Sequence, residues 1–422
     1  MGSFLVPPPT REGAPTPATP RLCYIAYPTS LTLQSANAIQ TFSTLQALQR
    51  LTPTLALIPR WLREPTRFAE LGARHLPRPA VGKLSRLYRS TLWYYLERSL
   101  FAALTAMVMA WERLRGRRWD VVFVRDVICA AWWSALFGPL LGLPVLYEAH
   151  DLESENPSRA RERWVQPWLR RLDRVSLGRC AGVISLTGDF RRQLEREGWR
   201  AAGEVSVIPD AFDAGRFVPG DRAAARARLG LDAGARLIVY AGLTFVNRGI
   251  DRLLAAFAQV RAAAPDVRLA LVGKGPEEAP ETVALARALG VDGALIWAGR
   301  RPQEEVIPYL QAADVLVMPD TVREVSGSPL KLFEYMAVGR AVVLPEIPAL
   351  AEVLPREIGY YFSRGDTQAL AGALLTALSD PERQRREQAA WEAVRPHTYG
   401  ARAARILALA ASLGKAGRSV GA

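Results

Sequence analysis

Cysteine is scarce. The 422 residues hold three, at 23, 129 and 180. They are too few and too scattered for a disulfide scaffold, and no CxxC pair or Cys/His cluster offers a structural zinc site. Histidine is as rare, at 75, 150 and 397, which argues against a His-rich metal centre. Long apolar runs are missing too. Val127–Tyr147 carries no charge, but Gly138-Pro139 and Gly142-Leu143-Pro144 divide it into a buried helix, a turn and a buried strand over Val145–Ala149. Neither GxGxxG, GxxxxGK[ST] nor GxSxG occurs, so dinucleotide oxidoreductases, P-loop NTPases and nucleophile-elbow hydrolases lose their main support. The opening MGSFLVPPPTREGAPTPATP lacks the basic-then-apolar order of a secretory leader and reads as a flexible tail over 1–20. Together these absences favour a reducing, cytoplasmic setting.

What is present is globular. Half of the residues are apolar, 23% are charged and mean hydropathy is +0.03, a composition that length divides into two or three domains. The net charge of +13 is uneven, with an excess of ten positive charges in residues 1–220 and three in 221–422. A basic first half suits an anionic partner: nucleic acid, a membrane surface or a phosphorylated ligand. No helix-turn-helix, zinc finger or aromatic RNA-binding signature accompanies it, so nucleic acid is not expected. Leu92–Trp111 has an apolar body, aromatic residues at 93, 94, 95 and 111, and arginines at 113, 115, 117 and 118. That pattern fits a helix lying on an anionic bilayer, and equally an amphipathic helix packed on a sheet.

Short apolar runs alternate with helical patterns throughout. Strands are expected at Leu22–Tyr27, Val121–Val124, Val145–Ala149 and Val183–Leu186, then at Leu237–Ala241, Leu269–Val272, Leu295–Trp297, Val315–Met318 and Ala341–Leu344. The alternation predicts an α/β protein with two doubly wound parallel sheets, the pattern restarting after 210. The domains read as 21–210 and 211–395, with 396–422 a closing helix that no strand follows. Ligands in such sheets bind beyond the carboxyl ends of strands, which places the site in the cleft between the domains.

Three stretches carry chemistry. In Ser326-Gly-Ser-Pro-Leu-Lys331-Leu-Phe-Glu334, Ser328 fits an N-cap and Pro329 a first helical position. The free amides there form an anion site. Lys331 opposes the helix dipole unless a phosphate is near. Glu334, a turn further on, is placed to accept from two sugar hydroxyls. An ordinary capped helix with solvated Lys and Glu gives the same string. In Tyr240-Ala-Gly242 through Asn247-Arg248-Gly249, a strand ends in a small-residue loop. Arg248 before the next helix suits a diphosphate, or is an exposed turn residue. His150 in Tyr147-Glu-Ala-His-Asp151 follows a buried strand, where it donates to a sugar hydroxyl, stabilises leaving-group charge or is a structural polar residue; it and Arg248 are the catalytic candidates. Arg125-Asp126 closes another strand, and Ser35 and Asn37 lie in the loop after the first.

These segments resemble the retaining glycosyltransferases of family 4, which have the GT-B fold of two facing Rossmann-like domains. The resemblance rests on YEAHD at 147–151, VIPDAFDAGRF at 207–217, YAG…NRGID at 240–251 and SPLKLFEYMAVGRAVV at 328–343. LALVGKGPE at 269–277 and WAGRRPQEEVIPYLQAADVLVMP at 297–319 follow the family's course between them. It implies a nucleotide-diphosphate-sugar donor held by the second domain, with Glu334 on the ribose and Arg248 on the diphosphate. The Gly327–Ser328 backbone, Lys331, Leu332 and Gly242 would assist. The base would stack near Arg300 or Pro302, and His150 would lie beside the donor sugar. Ser35, Asn37, Arg125, Asp126, Glu324 and Ser326 are candidate sugar or acceptor contacts. Tyr399 belongs to a helix expected to cross back onto the first domain.

The chain departs from the family pattern at Ser326, where relatives often carry Glu, and at Leu243, where many carry Arg. Glu324 is displaced by two residues. No DxD pair stands in a suitable loop, so neither metal nor cofactor is expected. The acceptor is expected to be a glycan or a lipid-linked acceptor, with an anionic membrane surface as a further partner and peripheral attachment on the inner face of the cytoplasmic membrane. An inactive scaffold and a nucleotide-sugar 2-epimerase share the fold and are the alternatives.

Overall fold

The computed structural model describes residues 19–78, 91–156, 163–242, 249–319 and 330–419. Two parallel sheets organise it. The first contains β1 (Leu22–Ile25), β2 (Thr54–Arg60), β3 (Arg74–Pro77), β4 (Val121–Val124), β5 (Val145–Ala149), β6 (Gly182–Ser185) and β7 (Val205–Val207), in the order β3-β2-β1-β4-β5-β6-β7. The second contains β8 (Leu237–Ala241), β9 (Arg268–Val272), β10 (Leu295–Gly299), β11 (Val315–Val317), β12 (Ala341–Pro345) and β13 (Tyr360–Phe362), in the order β10-β9-β8-β11-β12-β13. Every strand pair is parallel. Helices cover both faces of each sheet, so β4 and β11 are buried at every position and read as continuous Val/Leu/Phe runs.

Chain order reverses between β1 and β4 in the first sheet and between β8 and β11 in the second. At such a switch point the flanking loops diverge and leave a crevice at the carboxyl ends. The loop and helix after β1, Arg125 after β4, Gly242 after β8 and the helix Leu330–Ala337 after β11 all belong to these two places.

The strands β2, β3, β7 and β13 carry weak sequence signals. β2 contains Pro59 and ends in Arg60, and β3 has exposed arginine and proline at its ends, as edge positions allow. The run 127–141 differs from its sequence reading. Gly138-Pro139 does not end the helix. The ladder widens to π geometry over Trp133–Phe137, which accommodates the missing proline N–H, and the helix stops at Gly142 with φ 64°. One side of this helix is exposed, at Trp132, Leu136 and Leu140, so it is not wholly buried.

The last helix, Tyr399–Ser419, leaves the second domain. Phe212 N–H donates to the His397 carbonyl (3.0 Å), and Tyr399 N–H returns to the Phe212 carbonyl (3.3 Å). Ala403, Ile406, Leu407 and Ala410 then pack into the first domain's core with Leu45, Leu48 and Val121. All three cysteines are buried and free. Among the described residues no helix is long and apolar enough to cross a membrane.

Candidate active site

In the second lobe, β8 turns at Gly242, whose N–H donates to the Val272 carbonyl at 2.8 Å. Its φ of 154° and its neighbours both demand glycine. A Cβ there would meet Lys331 Nζ at 2.6 Å and Tyr240 Oη at 2.7 Å. The Lys331 ammonium lies 4.4 Å from the Tyr240 ring centroid, a cation–π contact. Tyr335 Oη accepts from Ala241 N–H (2.9 Å), tying the helix Leu330–Ala337 to the end of β8. Gly242 and Lys331, far apart in sequence, therefore share one spot.

Glu334 follows one turn later and is half-buried. Its Oε1 accepts from Gln303 Nε2 at 2.9 Å. Burial pushes its carboxyl up to about 7. The Gln303 bond and Lys331 pull it down, and Asp210 pushes it up. Leu332 is wholly buried in the lobe's core, so only its backbone can face a ligand. Arg300 is paired with Glu278 (2.9 Å) at the surface, three residues from Gln303. Arg248, Glu324, Ser326, Gly327 and Ser328 lie outside the described residues.

The first lobe answers with a buried ion network centred on Glu148 at the end of β5. Arg125 Nε donates to its Oε1 at 2.9 Å, and Arg402 Nη2, from the last helix, donates to its Oε2 at 2.6 Å. Arg125 also bonds the side chains of Gln40 and Thr41, and Arg402 reaches Thr44 Oγ1 (3.1 Å) and the Pro209 carbonyl (3.0 Å). Burial alone would push the Glu148 carboxyl up. Arg125 and Arg402, with His150, outweigh it and hold the group well below the usual carboxylate range.

His150 rests on this network. Its Nε2 lies 3.1 Å from Glu148 Oε1 and 3.2 Å from Arg125 Nη2. A guanidinium only donates and an ionised carboxylate only accepts. With Glu148 ionised, Nε2–H donates to it, and Nδ1 is the ring nitrogen outside these two contacts. Nearby Asp210 is buried, and burial pushes its carboxyl up to about 6, against the pull of Arg402 and His150. Asp210 also acts on Glu334 and on Tyr399, so it joins the two halves of the site electrostatically.

The remaining candidates from the first lobe are occupied locally. Ser35 caps the helix Ala36–Leu51, accepting from Ala38 N–H at 3.2 Å, and meets Thr29 Oγ1 at 2.6 Å. Asn37 Oδ1 accepts from Thr29 N–H at 3.2 Å. Asp126 caps the helix that starts at Val127, through Ile128 and Cys129 N–H, and pairs with Arg98 at 3.0 Å. These side chains shape the loops at the cleft. Arg125 supports His150 from beneath and is buried. Gln303, Asp210, Glu148 and Arg402 were not singled out in the sequence. Arg402 has a faint signal, three residues after Tyr399 on the same helix.

The lobes approach across a cavity of about 180 Å³. Phe42, Ser43 and Gln46 line it from the first lobe, Gln303 and Glu334 from the second, with Tyr399 between. A second bridge lies at Glu352, whose Oε2 accepts from Gly188 N–H (2.6 Å) at the start of the helix Gly188–Arg196 and whose Oε1 pairs with Arg192 (2.9 Å).

Two facing doubly wound lobes with a crossing terminal helix, and cations and carboxylates gathered at both switch points, define the GT-B class. The family model described as Glycosyltransferase Family 4 matches residues 64–216, and that described as Glycosyl transferases group 1 matches 235–380. The chain belongs to the family 4, group 1 glycosyltransferases. It is 28% identical over 292 residues to a 2-deoxystreptamine glucosyltransferase of Streptomyces kanamyceticus, covering 67% of this chain and 73% of that one. It is 30% identical over 267 residues to a D-inositol 3-phosphate glycosyltransferase of Segniliparus rotundus, covering 60% of this chain and 58% of the relative. Among solved structures, sucrose-phosphate synthase from Thermosynechococcus elongatus superposes with a TM-score of 0.71 at 20% identity, over 94% of this chain and all of that one. Anabaena HepE in complex with UDP gives 0.72 at 16% identity, over 93% of this chain and all of that one. At these identities the structural likeness speaks for the fold.

Proposed function

We propose that this glycosyltransferase moves a hexose from a nucleotide-diphosphate-sugar to a glycan or lipid-linked acceptor, with retention at the anomeric carbon. The acceptor is presented at an anionic membrane surface. The observation that carries the reading is the placing of Gly242, Lys331 and Glu334 together at the switch point of the second sheet. A diphosphate seated there meets the Lys331 ammonium and free amides, with Arg248 as the second cation, and the ribose hydroxyls donate to Glu334. The anomeric carbon then faces the first lobe, where His150 Nδ1 is directed to a sugar hydroxyl.

In the transfer, the acceptor oxygen bonds to the anomeric carbon on the face the diphosphate leaves. The bond from that carbon to the phosphate oxygen breaks, and the acceptor proton passes to the departing diphosphate. Charge developing on the leaving group is the main quantity to stabilise, and fixed cations and amides do so without reorganising. The reading calls for no resident metal or cofactor. Domain closure excludes water that would otherwise hydrolyse the donor.

A thermal-shift panel of nucleoside diphosphates and their sugars tests it. UDP is the first probe, because HepE of the same fold was solved with it. A ligand at about 100 times its Kd adds about 2.7 kcal/mol of stability. Arg248→Ala and Lys331→Ala should each abolish most of that shift. No response to any nucleoside diphosphate refutes the reading, and the anomeric proton coupling of the product decides retention.

A further inference from the structure

We propose that three adjacent helices of the first lobe, Thr91–Leu114, 127–141 and Gln166–Arg179, form one face that seats the protein flat on an anionic bilayer and holds the acceptor side of the cleft at the lipid edge. The inference deepens the membrane-presented acceptor above and rests on that part of the proposed function. It begins with where the large exposed apolar side chains lie. Leu92, Leu96, Leu100, Met107, Trp111 and Leu114 recur at helical spacing along one side of the first helix. Trp132, Leu136 and Leu140 do the same on the second, and Trp164 and Trp168 stand at the start of the third. Leu92, Leu114, Leu140 and Trp168 are 73%, 81%, 72% and 74% exposed. Among the described residues, only Leu51, Leu62 and Val218 are comparable elsewhere, and they are separate from one another in sequence. An apolar concentration of this kind marks an interaction surface.

The helices are fastened into a single surface. Trp132 Nε1 donates to Ser99 Oγ (2.9 Å) and Arg113 Nη1 to the Leu141 carbonyl (2.8 Å), joining the first two along their length. Ser134 Oγ donates to the Val175 carbonyl (3.4 Å), joining the second to the third.

Charge selects the occupant. The three helices contain three acids, and all are turned inward: Glu97 to Tyr27 and Arg78, Glu112 to Arg74 and Arg117, and Asp173 to the Glu153 and Ser154 amides. Arg113, Arg115, Arg170, Arg171, Arg174 and Arg179 are exposed. The three helices, as described, therefore offer tryptophan, leucine and guanidinium to their surroundings, and none of their own carboxylates is exposed. A second copy would set arginine against arginine. Anionic headgroups over acyl chains match both the charge and the apolar side chains. The first helix, 24 residues and about 36 Å long, begins at the cleft rim. Tyr95 Oη donates there to Glu153 (2.6 Å) and Arg98 pairs with Asp126. Leu92 and Leu96 thus bring the lipid surface beside the loops that follow β4 and β5.

The experiment is sedimentation of the full chain with phosphatidylcholine vesicles and with equimolar phosphatidylcholine/phosphatidylglycerol vesicles. Binding is expected with the second only, and should weaken with salt. A Leu114→Ser/Leu136→Ser/Leu140→Ser variant and an Arg170→Glu/Arg171→Glu/Arg174→Glu variant should each lose at least about tenfold in partition. Trp168→Ser, a milder single change, should lose part of it. Retained melting temperature and UDP response show that the variants are folded. Undiminished partition in both triple variants overturns the proposal, as does a parent dimer that the leucine changes dissociate. Loss of the UDP response in a parent that still binds vesicles would instead overturn the donor reading and leave this surface standing.

Discussion

The two lobes each bring a carboxylate to the cleft, and the two are prepared in opposite ways. Glu148 in the first lobe is clamped by two guanidiniums and a histidine and stays ionised far into acid. Glu334 in the second has one amide donor and a neighbouring ammonium, and burial raises it to about 7. The difference separates architecture from readiness. Glu148 has its acceptor capacity filled by the protein and fixes His150 and the last helix. Among the described residues Glu334 has a single hydrogen-bond donor, Gln303, and so keeps acceptor capacity.

The largest effect should come from opening the clamp. Glu148→Gln leaves Arg125 and Arg402 buried without their counter-ion, and urea unfolding should register a loss of about 3–5 kcal/mol. The same pair gives an acid signature. Because the folded carboxyl is depressed, its stabilisation is complete above the ordinary carboxyl range and is lost as pH falls through the folded value. A Glu148→Gln protein as stable as the parent would make the contrast between the carboxylates meaningless.

Glu334 should behave inversely. Its raised carboxyl favours the folded state most in acid, and that contribution declines as pH rises from the ordinary value of 4.5 through about 7. Ribose hydroxyls would donate to the ionised form. UDP affinity should then climb through about pH 7 with proton release, readable by calorimetry in buffers of different ionisation enthalpy. Glu334→Gln should cost about tenfold or more in affinity and flatten that pH dependence. A flat profile in the parent would remove Glu334 from the ligand's contacts.

Gly242→Ala sharpens the comparison from the second lobe's side. The added methyl meets the Lys331 ammonium and the hydroxyl of buried Tyr240, at a backbone φ that disfavours any side chain. Stability should fall by about 1 kcal/mol while UDP binding weakens about tenfold. A loss of stability with unchanged UDP affinity would mean that the glycine serves only the fold. The smallest effect is expected at the lobe bridge. Glu352→Gln removes a partly exposed pair with Arg192 and a charge at a helix start, worth about 0.5–1 kcal/mol together. Small-angle scattering should show the lobes further apart, and an unchanged profile would deny Glu352 a part in closure.

The strands that were legible are those buried on both faces. Val121–Val124, Val145–Ala149 and Leu237–Ala241 have the same limits in sequence and structure, because short, largely apolar runs follow from burial under two helical layers; the buried Glu148 in the second is the exception. Edge strands such as Arg74–Pro77 are half-solvated and need no such pattern. The helix through Gly138-Pro139 was misread because proline and glycine usually stop a helix, and the π segment that absorbs them has no sequence mark. Of the candidate site residues, His150, Lys331, Gly242 and Glu334 stood out in the sequence by their positions at strand and helix ends. Gln303 and Arg402 were not, since a polar residue on a helix reads as solvated until the opposing element is known.

By itself, the amino-acid order determined the two parallel sheets and the residues at their strand and helix ends, because periodicity and end signals are local properties of a chain, whereas the strand order and its switch points came with the fold. Tertiary structure decided which of those residues are spent. It turned Asp126 and Ser35 into helix caps, filled Glu148 from two arginines far apart in sequence, and left Glu334 poised. Burial and the convergence of distant charges set a group's protonation and its free valences, and neither exists until the chain is folded.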